Sequence, residues 1–216
     1  MQQILDHQSI VGVILAGGQG RRLGGVDKAS SLLGGRPLIE HVIDRVRPQV
    51  SDLIINAAGD PDRFKNLSLP VVPDVVEGFA GPLAGILTGL EWMSVHRPDA
   101  RWLASFAVDT PFLPPDLVNR LAMAVSGEGV DMACARSGDR THPVVALWPV
   151  RLVDDLRHAL TVEDIRKIDR WTARHHIVHV DFEPVPVDGG EFDPFFNVNR
   201  PEDVIEAGRI LDLVEK

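Results

Sequence analysis

The run Leu15-Ala16-Gly17-Gly18-Gln19-Gly20-Arg21-Arg22-Leu23-Gly24-Gly25-Val26-Asp27-Lys28 constrains this chain more than any other feature. It follows Ile10–Ala16, an apolar, β-branched segment that reads as a buried strand. Five glycines within nine residues let backbone N–H groups approach an anion without Cβ clashes. Arg22 and Lys28 then set positive charge beside that backbone, and a guanidinium can hold phosphate oxygens in pairs. The plainer alternative, a glycine-rich turn with surface bases, does not account for the spacing of these cations behind a strand. The run is expected to cradle a triphosphate.

Two familiar phosphate loops do not fit. A Walker loop requires Gly-Lys-Ser/Thr, and that triplet does not occur. A dinucleotide fingerprint started from Gly18 meets Leu23 where its third glycine belongs, and the second strand ends in Asn56 instead of an acidic residue that would hold a ribose. Hydride transfer is therefore a poor reading.

Apolar β-branched runs continue at Asp52–Ala57, Val71–Pro73, Trp102–Val108, Val130–Ala135, Val144–Trp148 and His176–Phe182. Helical spacing separates them at Leu38–Arg47, Pro82–Val95, Pro115–Val125, Arg151–Leu160, Val162–Ala173 and Pro201–Val214. Buried strands alternating with helices predict a three-layer αβα sandwich around a mostly parallel sheet. Residues 1–9 read as a flexible tail and residues 10–216 as a single domain, with Glu183–Phe196 its longest irregular loop. Ligands of such sheets bind beyond the carboxyl ends of the strands. That rule selects Gly17–Gly25 after the first strand, Asn56 at the end of the second, Asp74 after the third and Asp109 after the fourth.

Phe106-Ala107-Val108-Asp109-Thr110-Pro111 delivers a carboxylate at the end of an apolar strand, a hard oxygen ligand suited to Mg²⁺ on phosphates. Phe195-Phe196-Asn197-Val198-Asn199-Arg200-Pro201-Glu202-Asp203 opens the last helix. Asn199 either caps that helix or meets a ligand. His142, before Pro143, stands at a strand start with an acceptor contact and a structural role both open. His175, His176 and His179 lie in or beside an expected strand, with no acidic or cysteine partner expected nearby, and read as structural. Asp154, Asp155, Glu163 and Asp164 read as a solvated surface, and Trp92, Trp102, Trp148 and Trp171 as core.

Net charge is −9, which argues against a nonspecific nucleic-acid surface. Residues 1–50 hold six Lys/Arg against four Asp/Glu, the rest 16 against 27, so the basic excess lies around the glycine run and suits a small anion. No apolar run approaches the ~18–20 residues that span a bilayer. Cys134 is the single cysteine, and the first nine residues carry no basic leader, so a cytoplasmic address is expected.

Leu15-Ala16-Gly17-Gly18, Arg22, Asp27-Lys28, then Gly81-Pro82-Leu83, Asp109-Thr110-Pro111-Phe112, and Asn197-Val198-Asn199 before Pro201-Glu202 occur in this order. From about Val11 to Ile210 the sequence resembles the molybdenum cofactor guanylyltransferase family. The resemblance implies a nucleotidyltransferase (Rossmann-like) fold and transfer of GMP from GTP to Mo-molybdopterin with Mg²⁺, releasing pyrophosphate. It implies nucleotide contacts at Leu15, Ala16, Gly17, Lys28, Asn56, Asp74 and Asp109, with Asp109 on the metal. Gly18, Arg22, Asn197 and Asn199 fall on the acceptor side, and Arg22, Lys28 and Asp109 carry the chemistry. Proteins that deliver the product to molybdoenzymes are the further partners implied. Rival readings are a transferase using CTP or a sugar phosphate, and a GTP-binding module without turnover. By resemblance Gly17 and Gly81 go with guanine.

Overall fold

The computed structural model describes residues 9–17, 28–76, 78 and 81–214. The expected tail therefore lies outside the described residues apart from Ser9, as do Gly18 and Arg22. The main sheet has seven strands. In chain order they are β1 (Ile10–Leu15), β4 (Asp52–Asn56), β5 (Val71–Val72), β6 (Trp102–Ala107), β7 (Met132–Ser137), β8 (Arg140–Pro149) and β9 (Ile177–Asp181). Their spatial order is β5-β4-β1-β6-β8-β7-β9. Only β8 runs against its neighbours, so the sheet is mostly parallel, as the alternation of elements predicts. Short hairpins β2 (Leu32–Leu33) with β3 (Arg36–Pro37), and β10 (Val185–Val187) with β11 (Gly190–Phe192), stand apart from it.

Strand β1 shows why the sheet is covered on both faces. Ile10 and Ile14 enter one apolar cluster while Val11 and Val13 enter another, the period-2 alternation of a strand buried on both sides. The first cluster takes Ile39, Val42 and Val46 of α1 (Leu38–Val46) and Leu117, Val118 and Leu121 of α3 (Leu117–Val125). The second takes Leu83, Ile86 and Leu90 of α2 (Pro82–His96), Leu156 of α4 (Val153–Thr161) and Trp171 of α5 (Ile168–Thr172). Trp148 and Trp171 are fully buried, whereas Trp92 and Trp102 are only half-buried against the clusters. A third, smaller cluster joins Leu33, Leu38, Phe112 and Val198 to Ala207 and Ile210 of α6 (Pro201–Val214). It ties the C-terminal helix to the segment that follows the glycine-rich run.

Three elements depart from the sequence expectation. The helix expected over Val162–Ala173 shrinks to Ile168–Thr172, because Asp164 takes a left-handed φ of 53° that no helix interior tolerates. Glu183–Phe196 is not wholly irregular: β10 and β11 pair within it, with Val185 opposite Phe192. Strand β8 begins at Arg140, not Val144, and its register against β7 jumps from Cys134↔Ala146 to Ala135↔His142. Pro143, which has no N–H for the ladder, falls inside that bulge. The bulge turns residues 141–145 toward the crevice.

Strand β1 pairs with β4 on one side and β6 on the other, so chain order reverses across it. Leu15 lies level with Asn56 and with Ala107, which brings the carboxyl ends of three strands to one line. A ligand crevice belongs at such a reversal.

Candidate active site

Two polar clusters sit along that line. In the first, Lys28 begins a single 3₁₀ turn, Lys28–Ser30, directly after the glycine-rich run. Its ammonium lies 2.9 Å from Asp109 Oδ2 and also bonds Asn199 Oδ1. Asn197 Nδ2 donates to the other Asp109 oxygen at 3.2 Å, and the Val198 N–H donates to the Asp109 backbone carbonyl at 2.9 Å. One carboxylate thus joins the fourth sheet strand, the N-terminal loop and the segment before α6. Both partners of the ion pair are partly shielded from solvent, which strengthens it over an open surface pair.

The two roles left open for Asn199 separate here. Asp203 Oδ2 accepts from the backbone N–H groups of Asn199 and Arg200 at 2.9 and 2.8 Å, satisfying donors at the start of α6. Asn199 is thereby relieved of capping, and its side chain turns to Lys28.

The second cluster lies at the end of β4. Asn56 is buried, and its amide donates to Asp74 Oδ1 at 2.9 Å and to the Val72 carbonyl at 3.2 Å. Its own oxygen faces Gly17 and Gly85: a Cβ on Gly17 would stand 3.7 Å from Asn56 Oδ1, and one on Gly85 would overlap it. Gly85 in α2 is therefore a site-shaping residue with no signature in the sequence, since a glycine inside a helical pattern announces nothing about what approaches it.

A cleft of about 250 Å³ opens beside Asp109. Thr110, Arg140, His142, Asn197 and Asn199 are among the residues that line it, and Arg140 Nη2 donates to Asn197 Oδ1 at 3.3 Å. Arg140 and Thr141 were not singled out by sequence reasoning, because the bulge that presents them is a tertiary feature.

The remaining candidates are structural in character. His175 does have an acidic partner, Asp155 at 3.3 Å, brought close by the fold and not by sequence, and Trp171 Nε1 donates to the same carboxylate oxygen at 2.7 Å. His176 Nδ1 lies 2.8 Å from the Gly129 carbonyl. The acidic surface is paired as well as solvated, Glu163 with Arg174 and Asp164 with Arg166. Burial pushes the Cys134 thiol up to about 12, which leaves it no thiolate for chemistry.

Among the described residues no group of three or more His, Cys, Asp or Glu could cage a metal. The carboxylate of Asp109 nonetheless suits a hard divalent ion that takes its other ligands from phosphates and water.

A family model described as MobA-like NTP transferase domain matches residues 12–178. A molybdenum cofactor guanylyltransferase of Bradyrhizobium sp. (strain ORS 278) is 52% identical over 208 residues, covering 96% of each chain. One from Rhodopseudomonas palustris (strain BisB5) is 53% identical over 205 residues, covering 95% of each. The crystal structure of molybdopterin-guanine dinucleotide biosynthesis protein A from Archaeoglobus fulgidus superposes with a TM-score of 0.72 at 25% identity, covering 94% of this chain and 98% of that one. A 4-diphosphocytidyl-2C-methyl-D-erythritol synthase of Anaerococcus prevotii reaches the same TM-score at 14% identity and shares the fold. With a family model over most of the chain and relatives more than 50% identical across nearly its full length, the chain belongs to the molybdenum cofactor guanylyltransferase family of MobA-like NTP transferases.

Proposed function

We propose that this nucleotidyltransferase moves GMP from GTP to Mo-molybdopterin and releases pyrophosphate. The observation that carries the reading is the convergence of Lys28, Asp109 and Asn199 at the sheet reversal, next to a cleft with room for a second substrate. The acceptor's phosphate oxygen attacks the α-phosphorus in line, and the bond to the β-phosphate oxygen breaks. That nucleophile is already ionised, so no general base is needed. Catalysis then rests on positioning and on cations set against the developing charge.

Lys28, at the sheet reversal, would steady the α-phosphate, and the backbone at Gly17, with Arg22 further along the sequence, would hold the triphosphate tail. Asp109 would hold Mg²⁺. When bound, Mg²⁺ supplies charge neutralisation on the phosphate oxygens. Asn56 Oδ1 and the second oxygen of Asp74 offer acceptors where a base would lie beyond Gly17. Guanine presents two donors, N1–H and the 2-amino group, whereas cytosine and adenine present one donor beside an acceptor. Two acceptors therefore favour guanine over the CTP alternative.

Incubation of the protein with Mg²⁺, Mo-molybdopterin and each of GTP, CTP and ATP tests this, with pyrophosphate as the readout. Acceptor-dependent release with GTP is the expected result; release with CTP instead, or nucleotide binding without any release, overturns it.

A further inference from the structure

A largely buried chain of hydrogen bonds reaches the wall of the same cleft at His142. Ser137 Oγ lies 3.0 Å from Asp193 Oδ2 and 2.8 Å from His142 Nε2. A carboxylate only accepts, so the one hydroxyl proton goes to Asp193. The hydroxyl oxygen is left to accept, and His142 Nε2 must carry the ring proton. Asp193 is itself fixed, because its other oxygen accepts from the Phe195 N–H at 2.9 Å. His142 stacks on the fully buried Phe195 with ring centroids 4.4 Å apart, so the imidazole can neither rotate nor flip freely.

This arrangement sets the chemistry of the remaining nitrogen. Burial holds His142 below its ordinary imidazole value; Arg140 acts in the same direction and Asp193 against it. The ring is neutral at pH 7, and its Nδ1 is a bare acceptor. Among the described residues Nδ1 has no hydrogen-bond partner, although the residue is 8% exposed and lines the cleft. A purely apolar wall would need only the ring face. A polar relay that fixes a tautomer and leaves one lone pair toward a cleft implies a donor arriving from outside.

We propose that His142 recognises the acceptor substrate, its Nδ1 taking a hydrogen bond from a ring N–H or amino group of a nitrogen-rich heterocycle, the class to which a pterin belongs. Ser137 and Asp193 are positioning residues that hold the tautomer. A neutral lone pair repels a phosphate, so the anionic end of the acceptor is directed to Lys28, which bonds Asp109 and Asn199 of the cleft lining, and to Arg140. The inference rests on the reading that this cleft takes the acceptor.

The test uses the purified protein with GTP, Mg²⁺ and Mo-molybdopterin. His142→Phe keeps the stack and removes both nitrogens. It is expected to raise the KM for the pterin about tenfold, the worth of one hydrogen bond, with GTP affinity by calorimetry unchanged. His142→Asn, which can place an amide oxygen near the Nδ1 position, recovers part of the loss. Asp193→Asn reverses the relay: its amide donates to Ser137, the hydroxyl donates to Nε2, and the ring proton moves to Nδ1. Nitrogen NMR of His142 then shows Nδ1 changing from the unprotonated to the protonated range, and the KM rises with the stack intact. Should His142→Phe fail to fold, the Asp193→Asn spectrum and KM decide. An unchanged pterin KM in the folded variants, or an unprotonated Nε2 in the native protein, overturns the proposal. A native protein that binds GTP but releases no acceptor-dependent pyrophosphate overturns the wider reading, and this inference with it.

Discussion

The ammonium of Lys28 lies 2.9 Å from the carboxylate of Asp109, although 81 positions separate them in the chain. The pair closes a ring that includes Asn197, Val198 and Asn199, so the start and the end of the chain meet at one carboxylate. Its formation needs α6 to dock on the hairpin β2–β3, which is what the small cluster of Leu33, Val198 and Ile210 does.

Asp109→Asn should therefore separate chemistry from folding. The backbone carbonyl that receives the Val198 N–H remains, as does the strand-end position. What is lost is the negative charge facing Lys28 and the proposed metal. Turnover should fall at least about a hundredfold, the scale of removing one well-placed electrostatic group. The melting temperature should move by only a few degrees, since an incompletely buried pair contributes about 1 kcal/mol. Pyrophosphate release and a thermal melt on the same preparation check both. Near-native turnover at saturating Mg²⁺ would mean Asp109 is not the metal residue.

Gly85→Ala tests the second cluster. A helix interior ordinarily gains up to about 1 kcal/mol from this change. Here the new Cβ would overlap Asn56 Oδ1 and lie 2.7 Å from Leu15 Cδ2. Asn56 is held by two hydrogen bonds and cannot move cheaply, so the net effect should be a loss of about 1–3 kcal/mol, as for overpacked cores. GTP affinity should fall in parallel. A denaturant melt showing stabilisation would mean that Asn56 is looser than its hydrogen bonds imply.

Asp74→Asn probes nucleobase choice. It keeps the size of the side chain and exchanges one acceptor oxygen for a donor amide facing the proposed base. An unpaired or mismatched buried group costs about 1–3 kcal/mol, so the preference for GTP over ATP should narrow roughly tenfold or more. Calorimetry with both nucleotides measures it; an unchanged ratio would pass base reading to Asn56 alone.

The seven main strands were legible because each carries an apolar, β-branched run, the central parallel ones along nearly their whole length. That Asp109, Asn197 and Asn199 face one crevice was legible because strand ends and helix starts carry local signs. Ser137, His142 and Asp193 were not legible as a unit: they lie on β7, on a bulge of β8 and in the loop after β11, and only pairing brings them together. Arg140 was missed for the same reason. The break at Asp164 was hidden because a helical apolar spacing does not reveal a single residue with positive φ.

Acid sensitivity should reflect His142. Its folded value lies below the ordinary imidazole value, so the unfolded chain binds more protons as pH falls through about 6.5. Stability from this residue is present above that range and is lost as the solution acidifies toward pH 5. Asp193 and Arg140 are the charges that face the ring from neighbouring segments, and both are retained in His142→Phe. That variant should show a flatter stability curve between pH 5 and 7 than the native protein. Parallel curves would assign the acid limb elsewhere.

Asn199→Ala, compared with Asp203→Ala, separates the site from the helix cap. Asp203 accepts two backbone N–H groups at the start of α6, so its loss should cost about 0.5–2 kcal/mol of stability. The Asn199 side chain makes no such contact, and its oxygen bonds Lys28 at the mouth of the cleft that also holds Asn197 and His142. Its removal should leave the melting temperature within a few degrees while weakening Mo-molybdopterin binding more than GTP binding. The expected loss, about 1.5–3 kcal/mol, is that of a hydrogen bond involving a charged group. If Asn199 instead serves the metal, GTP·Mg²⁺ affinity falls and pterin affinity holds; if both affinities hold and only the melt shifts, Asn199 is structural after all. Two titrations and one melt on each variant distinguish these results, and selective loss of pterin affinity is the one that the geometry around Lys28 predicts.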